Sequence, residues 1–392
     1  MKDFFAQARE LFNYTQSMRR DFHMHPELGF QEVRTAGIVA KELQKLGLEV
    51  TTGIGKTGVV ALIEGTGAGP TLLLRADMDA LPIVEQTAAE YASQNQGVMH
   101  ACGHDGHTAI LLTVAKMLNS ARDQFPGTIK LVFQPAEEGQ GGAESMLTDG
   151  VMDNPKVDIT LGLHLWNERP VGWLGIAEGA TMAGAEMFTI TVTGKGGHGA
   201  IPQGAIDPVL AGAHIVTALQ SIVARNVAPF DSAVISVTQF QGGDAFNVIP
   251  PSVKLVGTIR SFKPEVREMV LKRFSEITTG VAEAFGCQVD INNIRLTPPV
   301  INQSRTVKLV QSAAKKVLPD STVDSSAPVT MGSEDFAFML EKVPGCFFFV
   351  GSANEERGLN YGHHHPKFDV DEQSLPRAAA LMAQAAVEIL NS

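Results

Sequence analysis

Cysteine is scarce in this chain: three in 392 residues, Cys102, Cys287 and Cys346. So sparse and odd a set builds no disulfide framework and fits a reducing compartment, so a cytoplasmic protein is expected. Long apolar runs are missing too. None approaches the roughly 18 residues needed to span a bilayer, so no membrane partner is expected. The opening Met1-Lys2-Asp3-Phe4-Phe5-Ala6-Gln7 has no apolar core of signal-peptide length. Positive charge is in deficit, with 31 Lys and Arg against 42 Asp and Glu and a net charge of −11. That argues against nucleic acid as a partner, because a nucleic-acid footprint needs clustered positive charge. There is no internal repeat and no low-complexity segment. What remains is an ordinary soluble balance, 44% hydrophobic and 19% charged. Domains run about 100–200 residues, so two are expected.

The first part reads as alternating strands and helices. Residues 30–46 are amphipathic and helical; 58–63 and 71–75 are strands. The glycines of Gly65-Thr66-Gly67-Ala68-Gly69 stand between two strands, so they read as a turn and not as a dinucleotide-binding loop. A helix is expected over 107–121, a strand over 129–133, a short helix over 143–147 and a strand over 157–163. Short apolar runs separated by helices predict an α/β domain with a largely parallel, buried sheet. Around Gly184 the pattern changes to strand 186–192, helix 207–225, strands 233–239 and 252–260, helix 264–285 and strand 288–294. Asp207-Pro208 opens the first of those helices as cap and first turn. The order β-α-β-β-α-β is a ferredoxin-like unit. The expected division is a discontinuous domain, 1–183 with 295–392, interrupted by an inserted domain, 184–294. The chain then returns to helix 306–318, strand 346–350 and helix 378–390.

Potential metal donors are concentrated at four places. His100-Ala101-Cys102-Gly103-His104-Asp105-Gly106-His107 is the densest; Gln134-Pro135-Ala136-Glu137-Glu138-Gly139, Leu163-His164-Leu165 and Gly362-His363-His364-His365-Pro366 follow. A divalent ion takes four to six such donors, usually from separate loops. Asp77 and Asp79 follow one predicted strand, Glu137 and Glu138 another, and His164 closes a third. Open α/β sheets place their sites beyond the carboxyl ends of strands, so these donors can converge on one rim. Each has a bland reading when taken alone. A buried Cys is usually structural, adjacent acids are usually solvated, a His flanked by Leu is usually core, and a His tract is often surface. Their joint occurrence at predicted strand ends favours a metal site.

The chain also resembles a known family. His23-Met24-His25-Pro26-Glu27-Leu28, Leu74-Arg75-Ala76-Asp77-Met78-Asp79-Ala80-Leu81-Pro82 and the 99–108 and 134–139 segments are similar to M20-type metallopeptidases. So are Gly196-Gly197-His198-Gly199-Ala200-Ile201-Pro202, Phe246-Asn247-Val248-Ile249-Pro250, Gly257-Thr258-Ile259-Arg260, Met331-Gly332-Ser333-Glu334-Asp335-Phe336 and His364-His365-Pro366. The branch it resembles is subfamily D, that of aminoacylases, hippurate hydrolases and auxin-conjugate amidohydrolases, over nearly the whole chain.

The resemblance implies a mixed-sheet α/β catalytic domain with an inserted ferredoxin-like α+β (βαββαβ) dimerisation domain, and two divalent ions per subunit, Zn, Mn, Co or Ni. It implies Cys102, His104, Glu138, His164 and His364 as ligands, with Cys102 as the bridge that two cations would stabilise. His364 is chosen over its neighbours because the family's histidine stands two residues before the proline. Asp77, Asp79 and Asp105 orient ligands or the loop. Glu137, just before a ligating glutamate, takes the place of the general base. His198 would stabilise the oxyanion in a partner subunit's site; Asn247 and Arg260 would grip the substrate carboxylate, for which a guanidinium fork is suited. For His198 the bland alternative is a solvent-exposed loop residue, and for Arg260 a surface cation. The expected function is hydrolysis of N-acyl amino acids, N-acetyl or hippurate-like N-benzoyl, by a homodimer paired through the inserted domain, or a homotetramer. The alternatives are a dipeptidase or carboxypeptidase of the same superfamily, and a catalytically silent metal-binding sensor.

Overall fold

The structure, a computed structural model, describes residues 3–326 and 330–392. It falls into two compact units, one of 3–181, 301–326 and Asp335–Ser392, the other of Met182–Val300 with 330–334.

The larger unit is built on an eight-stranded mixed sheet. Its strand order is Val50–Ile54, Gly58–Glu64, Thr128–Gln134, Thr71–Asp77, Ile159–Pro170, Gly345–Ala353, Trp173–Gly175, Thr322–Asp324. The central four strands are parallel; Val50–Ile54 and Gly58–Glu64 are added antiparallel. Thr71–Asp77 is buried at every position, as a strand covered on both faces must be. The Ala-rich helix Ser374–Leu390 is apolar nearly all round and is buried along almost its whole length. It packs against helices Phe4–Glu10, His104–Asn119 and Ser304–Val317, and one core joins them to Leu72, Leu74, Leu161 and Phe348 of the sheet.

Two sequence expectations are corrected, and one region without an expectation proves helical. The helices Phe4–Glu10 and Phe12–Met24 were not anticipated. The helix expected from 107 begins at His104, because Gly103, with φ of +92°, turns the chain directly into it. His164 does not close its strand; Ile159–Pro170 runs on past it.

The smaller unit has the order β-α-β-β-α-β. Its antiparallel sheet runs Ala233–Gln241, Ser252–Ser261, Gly184–Thr193, Gln288–Thr297, and helices Pro208–Arg225 and Pro264–Ala284 share a core with Phe188, Ile190 and Leu255. Asp207 caps the first helix by accepting from the Val209 and Leu210 N–H groups. Among the described residues, Pro208–Arg225 is the one helix long and apolar enough to cross a membrane. Its buried Ala211, Ile215, Leu219 and Ile222 fall on one face toward the sheet, however, which is the pattern of a core helix.

Candidate metal centre

Register brings the donors together. Asp77 is level with Gln134 on one neighbouring strand. Arg75 is level with Gly162 on the other, so His164 and Asp77 each stand two residues further along. The turn that carries Glu137 and Glu138 begins just past Gln134. All three segments therefore meet at the carboxyl edge of the parallel strands, where the Cys102–His104 loop also arrives.

Two triads form there and share Cys102. Cys102, His104 and His164 bring one donor atom each within 4.8 Å of one another, and so do Cys102, Glu138 and His364. Cys102 Sγ is 3.5 Å from His164 Nε2, and His364 Nε2 is 3.3 Å from Glu138 Oε1. The imidazoles are oriented from behind. His104 Nδ1 donates to the Asp79 carbonyl at 3.0 Å and to Asp79 Oδ1 at 3.2 Å, and His164 Nδ1 donates to the Leu165 carbonyl at 2.6 Å. Each bond fixes the tautomer and leaves Nε2 with its lone pair toward the cluster. Asp77, His104 and His107 also approach within 4.8 Å, but His107 is already engaged at both nitrogens. Its Nδ1 donates to Asp77 Oδ1 at 2.7 Å, and its Nε2 accepts the Leu165 N–H at 2.9 Å.

The donor set fits a divalent cation. His104 Nε2 is buried without a hydrogen-bond partner, an arrangement that costs roughly 1–3 kcal/mol unless something accepts its lone pair. Burial, with the Glu138, Glu137 and Asp77 carboxylates close by, holds the Cys102 thiol well above its ordinary pKa. A cation reverses that balance, since thiolate is the form that binds metal.

Of the three consecutive histidines, His364 is the one that approaches Glu138. It sits at φ +64°, a conformation uncommon outside glycine, and its N–H donates to the Ala101 carbonyl at 2.8 Å. His363 instead donates from Nε2 to the Leu165 carbonyl at 3.0 Å, and burial lowers its pKa to about 4. His365 stacks on Tyr361.

Glu137 lies beside this cluster and not in either triad. Its carboxylate comes within 4.8 Å of donor atoms of His104 and Glu138, and Oε1 accepts the Asp335 N–H at 3.3 Å. The turn beneath it is pinned by residues that sequence reasoning did not single out. The Ala136 N–H donates to Glu32 Oε1 at 2.8 Å, and the Ala143 N–H to Asp335 Oδ2 at 2.9 Å. Arg75, fully buried, bridges Asp77 Oδ2 at 2.6 Å and Asp335 Oδ1 at 3.0 Å. A Cβ at Gly142 would stand 1.7 Å from the Pro135 carbonyl oxygen, so only glycine closes this turn. The arginine was visible in principle, as a lone charge inside the apolar run Thr71-Leu72-Leu73-Leu74-Arg75.

The other expected site residues lie in the smaller unit. Gly197–His198 pairs antiparallel with Val248–Ile249, and the neighbouring Asn247 carbonyl accepts the Gly199 N–H at 2.8 Å. His198 and Asn247 are thus together on one small exposed ladder. His198 Nδ1 accepts the Ala200 N–H at 3.1 Å, which leaves Nε2 as the protonated nitrogen. Arg260 is on the Ser252–Ser261 strand, on the face opposite to the buried Ile259. Its Nη1 is buried without a hydrogen-bond partner, and burial lowers its pKa.

An open α/β sheet with a Cys, His and Glu cluster at its strand ends, and the Glu137 carboxylate beside it, defines a metal-dependent amide hydrolase. Residues 73–388 match peptidase family M20/M25/M40, and the chain belongs to that family. It is 41% identical over 389 residues to an IAA-amino acid hydrolase of Arabidopsis thaliana, covering 98% of this chain and 88% of that one. It is 40% identical over 375 residues to an N-acetyl-L-cysteine deacetylase of Bacillus subtilis, covering 96% and 88%. The solved Bacillus subtilis YXEP protein, a dinuclear metal binding peptidase of the M20 family, superposes with a TM-score of 0.86 at 36% identity, covering 98% and 99%.

Proposed function

We propose that the chain hydrolyses the amide bond of N-acyl amino acids to a carboxylic acid and a free amino acid, using two divalent ions. The observation that carries this reading is the pair of triads sharing the Cys102 thiol, with Glu137 held just outside both. Cys102 would bridge the ions, His104 and His164 would complete one site, and Glu138 and His364 the other. Bound ions of this kind acidify water and polarise a carbonyl; Zn, Mn, Co and Ni all suit the donors. Glu137 accepts the proton that the attacking water loses as its oxygen bonds the acyl carbon. It delivers that proton to the nitrogen as the C–N bond breaks. The Asp335 N–H holds Glu137 in place for this.

The exposed His198, with its Nδ1 occupied by the Ala200 N–H, stabilises the oxyanion in the site of a second subunit, and the protein works as a homodimer joined through the smaller unit. Arg260, with its unpartnered buried Nη1, takes the substrate carboxylate with Asn247. N-acetyl and N-aroyl amino acids, hippurate among them, are the leading substrates. The relatives' names as an N-acetyl-L-cysteine deacetylase and an IAA-amino acid hydrolase support that class. The three cysteines, all unpaired and buried, support a reducing, cytoplasmic setting.

The test is a panel of N-acetyl amino acids, hippurate and free dipeptides, assayed with a chelator and after return of each metal. Release of amino acid from blocked substrates, abolished by chelation and restored by metal, is expected. Cleavage confined to free dipeptides would make the protein a dipeptidase, and chelator-insensitive cleavage would refute the mechanism.

A further inference from the structure

Arg19, on the helix Phe12–Met24, is 0% exposed. A guanidinium so buried has to meet acceptors along its edges, and here they come from distant parts of the chain. Nε donates to Asp105 Oδ2 at 2.8 Å, Nη2 to Asp369 Oδ1 at 2.6 Å, and Nη1 reaches Glu372 Oε1 at 3.4 Å. Its plane lies 4.9 Å from the centre of the Tyr91 ring, whose hydroxyl donates to the other Asp369 oxygen at 2.8 Å. Asp105 directly follows His104, and Asp369 lies shortly beyond His364. The Asp369 carbonyl also accepts from Asn167 Nδ2 at 3.0 Å, on the strand that carries His164.

We propose that Arg19 is a positioning residue for the metal centre, fixing the separation between the segment that carries Cys102 and His104 and the segment that carries His364. The proposal rests on the ligand assignment above. Arg19 touches no ligand; it acts through Asp105 and Asp369. One further hydrogen bond joins the two ligand segments, from the His364 N–H to the Ala101 carbonyl, and the buried Phe368 ring lies beside Gly103. Apolar packing holds the segments close without fixing direction, and the Arg19 bridge supplies a second directional point beside that bond. Neutralising buried acids needs only a positive charge. Holding three carboxylates in three fixed directions needs the planar fork that lysine lacks.

The test compares the wild-type protein with Arg19→Lys, Arg19→Met and Asp369→Ala; the last removes the shortest contact of the bridge to the His364 segment and leaves Arg19 paired with Asp105 and, at 3.4 Å, Glu372. Cobalt and zinc are titrated into metal-free protein well below its melting temperature, and the visible spectrum of the cobalt form is recorded. The wild type should bind two ions per chain; if it does not, the ligand assignment fails, independently of Arg19. The variants should lose about 10–100-fold in affinity for at least one ion, the range typical of groups behind ligands. The cobalt spectrum should change, and amide exchange over 364–369 in the metal-free protein should quicken. Folded variants with wild-type affinities and spectrum overturn the proposal. So does collapse of every variant, Asp369→Ala included, since Arg19 would then be serving the fold as a whole.

Discussion

Asp79 and His104 form a two-point contact: the imidazole Nδ1 meets both the carbonyl and Oδ1 of the aspartate, at 3.0 and 3.2 Å. The second carboxylate oxygen accepts the Glu138 N–H at 3.0 Å. One side chain thus aims a donor of each triad. Asp79→Ala should fold but bind metal about 10–100-fold more weakly. Isothermal titration of the metal-free variant measures this, and unchanged affinity would leave Asp79 with no orienting role.

Glu137 and Cys102 should fail in different ways. Glu137→Gln should keep its metals and its melting temperature while turnover falls about 10²–10⁴-fold, the usual loss of a positioned general base. Cys102→Ala should lose metal together with activity. Elemental analysis beside a rate measurement separates the two; a fully loaded Cys102→Ala protein would remove the thiol from the centre.

His23 is one group whose titration should be felt in stability. Burial and the Arg19 charge push its pKa down, but the Asp105 carboxylate and the hydrogen bonds to Asp105 and Glu85 outweigh them and raise it to about 9. A pKa raised on folding contributes stability that is whole below the unfolded value, about 6.5, and is lost as pH climbs through 9. Denaturant midpoints should therefore fall between pH 6.5 and 9, and His23→Gln should flatten that slope. An equally steep slope in the variant would place the titration elsewhere.

Subunit exchange tests the proposed role of His198. In a heterodimer of His198→Ala with Glu137→Gln, one site would combine an intact Glu137 with an intact His198 from the other chain. Up to half the sites should then recover. Verified heterodimers without regained activity would mean that His198 acts within its own chain, or has no part in the reaction.

Legibility in the sequence followed the physics of each segment. The Thr71–Asp77 and Thr128–Gln134 strands are buried on both faces, and their apolar runs 72–74 and 131–133 stand out for that reason. The βαββαβ order was readable because its strands alternate and Asp207-Pro208 marks a helix start. The helix Phe12–Met24 was hidden because its buried face carries Thr15, Arg19 and His23 beside Phe22, and reads as polar. The same substitution of paired charge for hydrocarbon concealed Arg19 itself. Trp173–Gly175 and Thr322–Asp324 are too short to show a period. At the site, the clustered Cys, His and Glu were conspicuous. Of the residues that hold them, Arg75 and Asp335 fall inside recognised family segments and Glu32 in none, and only the fold shows what each of them binds.

The strand Ile159–Pro170 has Gly345–Ala353 as one of its two neighbours, and most of the smaller unit lies between them in the chain. On the ribosome, synthesis runs from one end, and compact units fold as they emerge. The smaller unit has all four strands of its sheet once Thr297 is made. The larger one must still wait, with an open sheet edge and without its Ala-rich helix, until residues 345–390 have followed. His364 and Asp369 come in that later stretch. The insertion is thus a timetable as well as a piece of architecture: the ion-binding cluster is completed only after the whole smaller unit has been made.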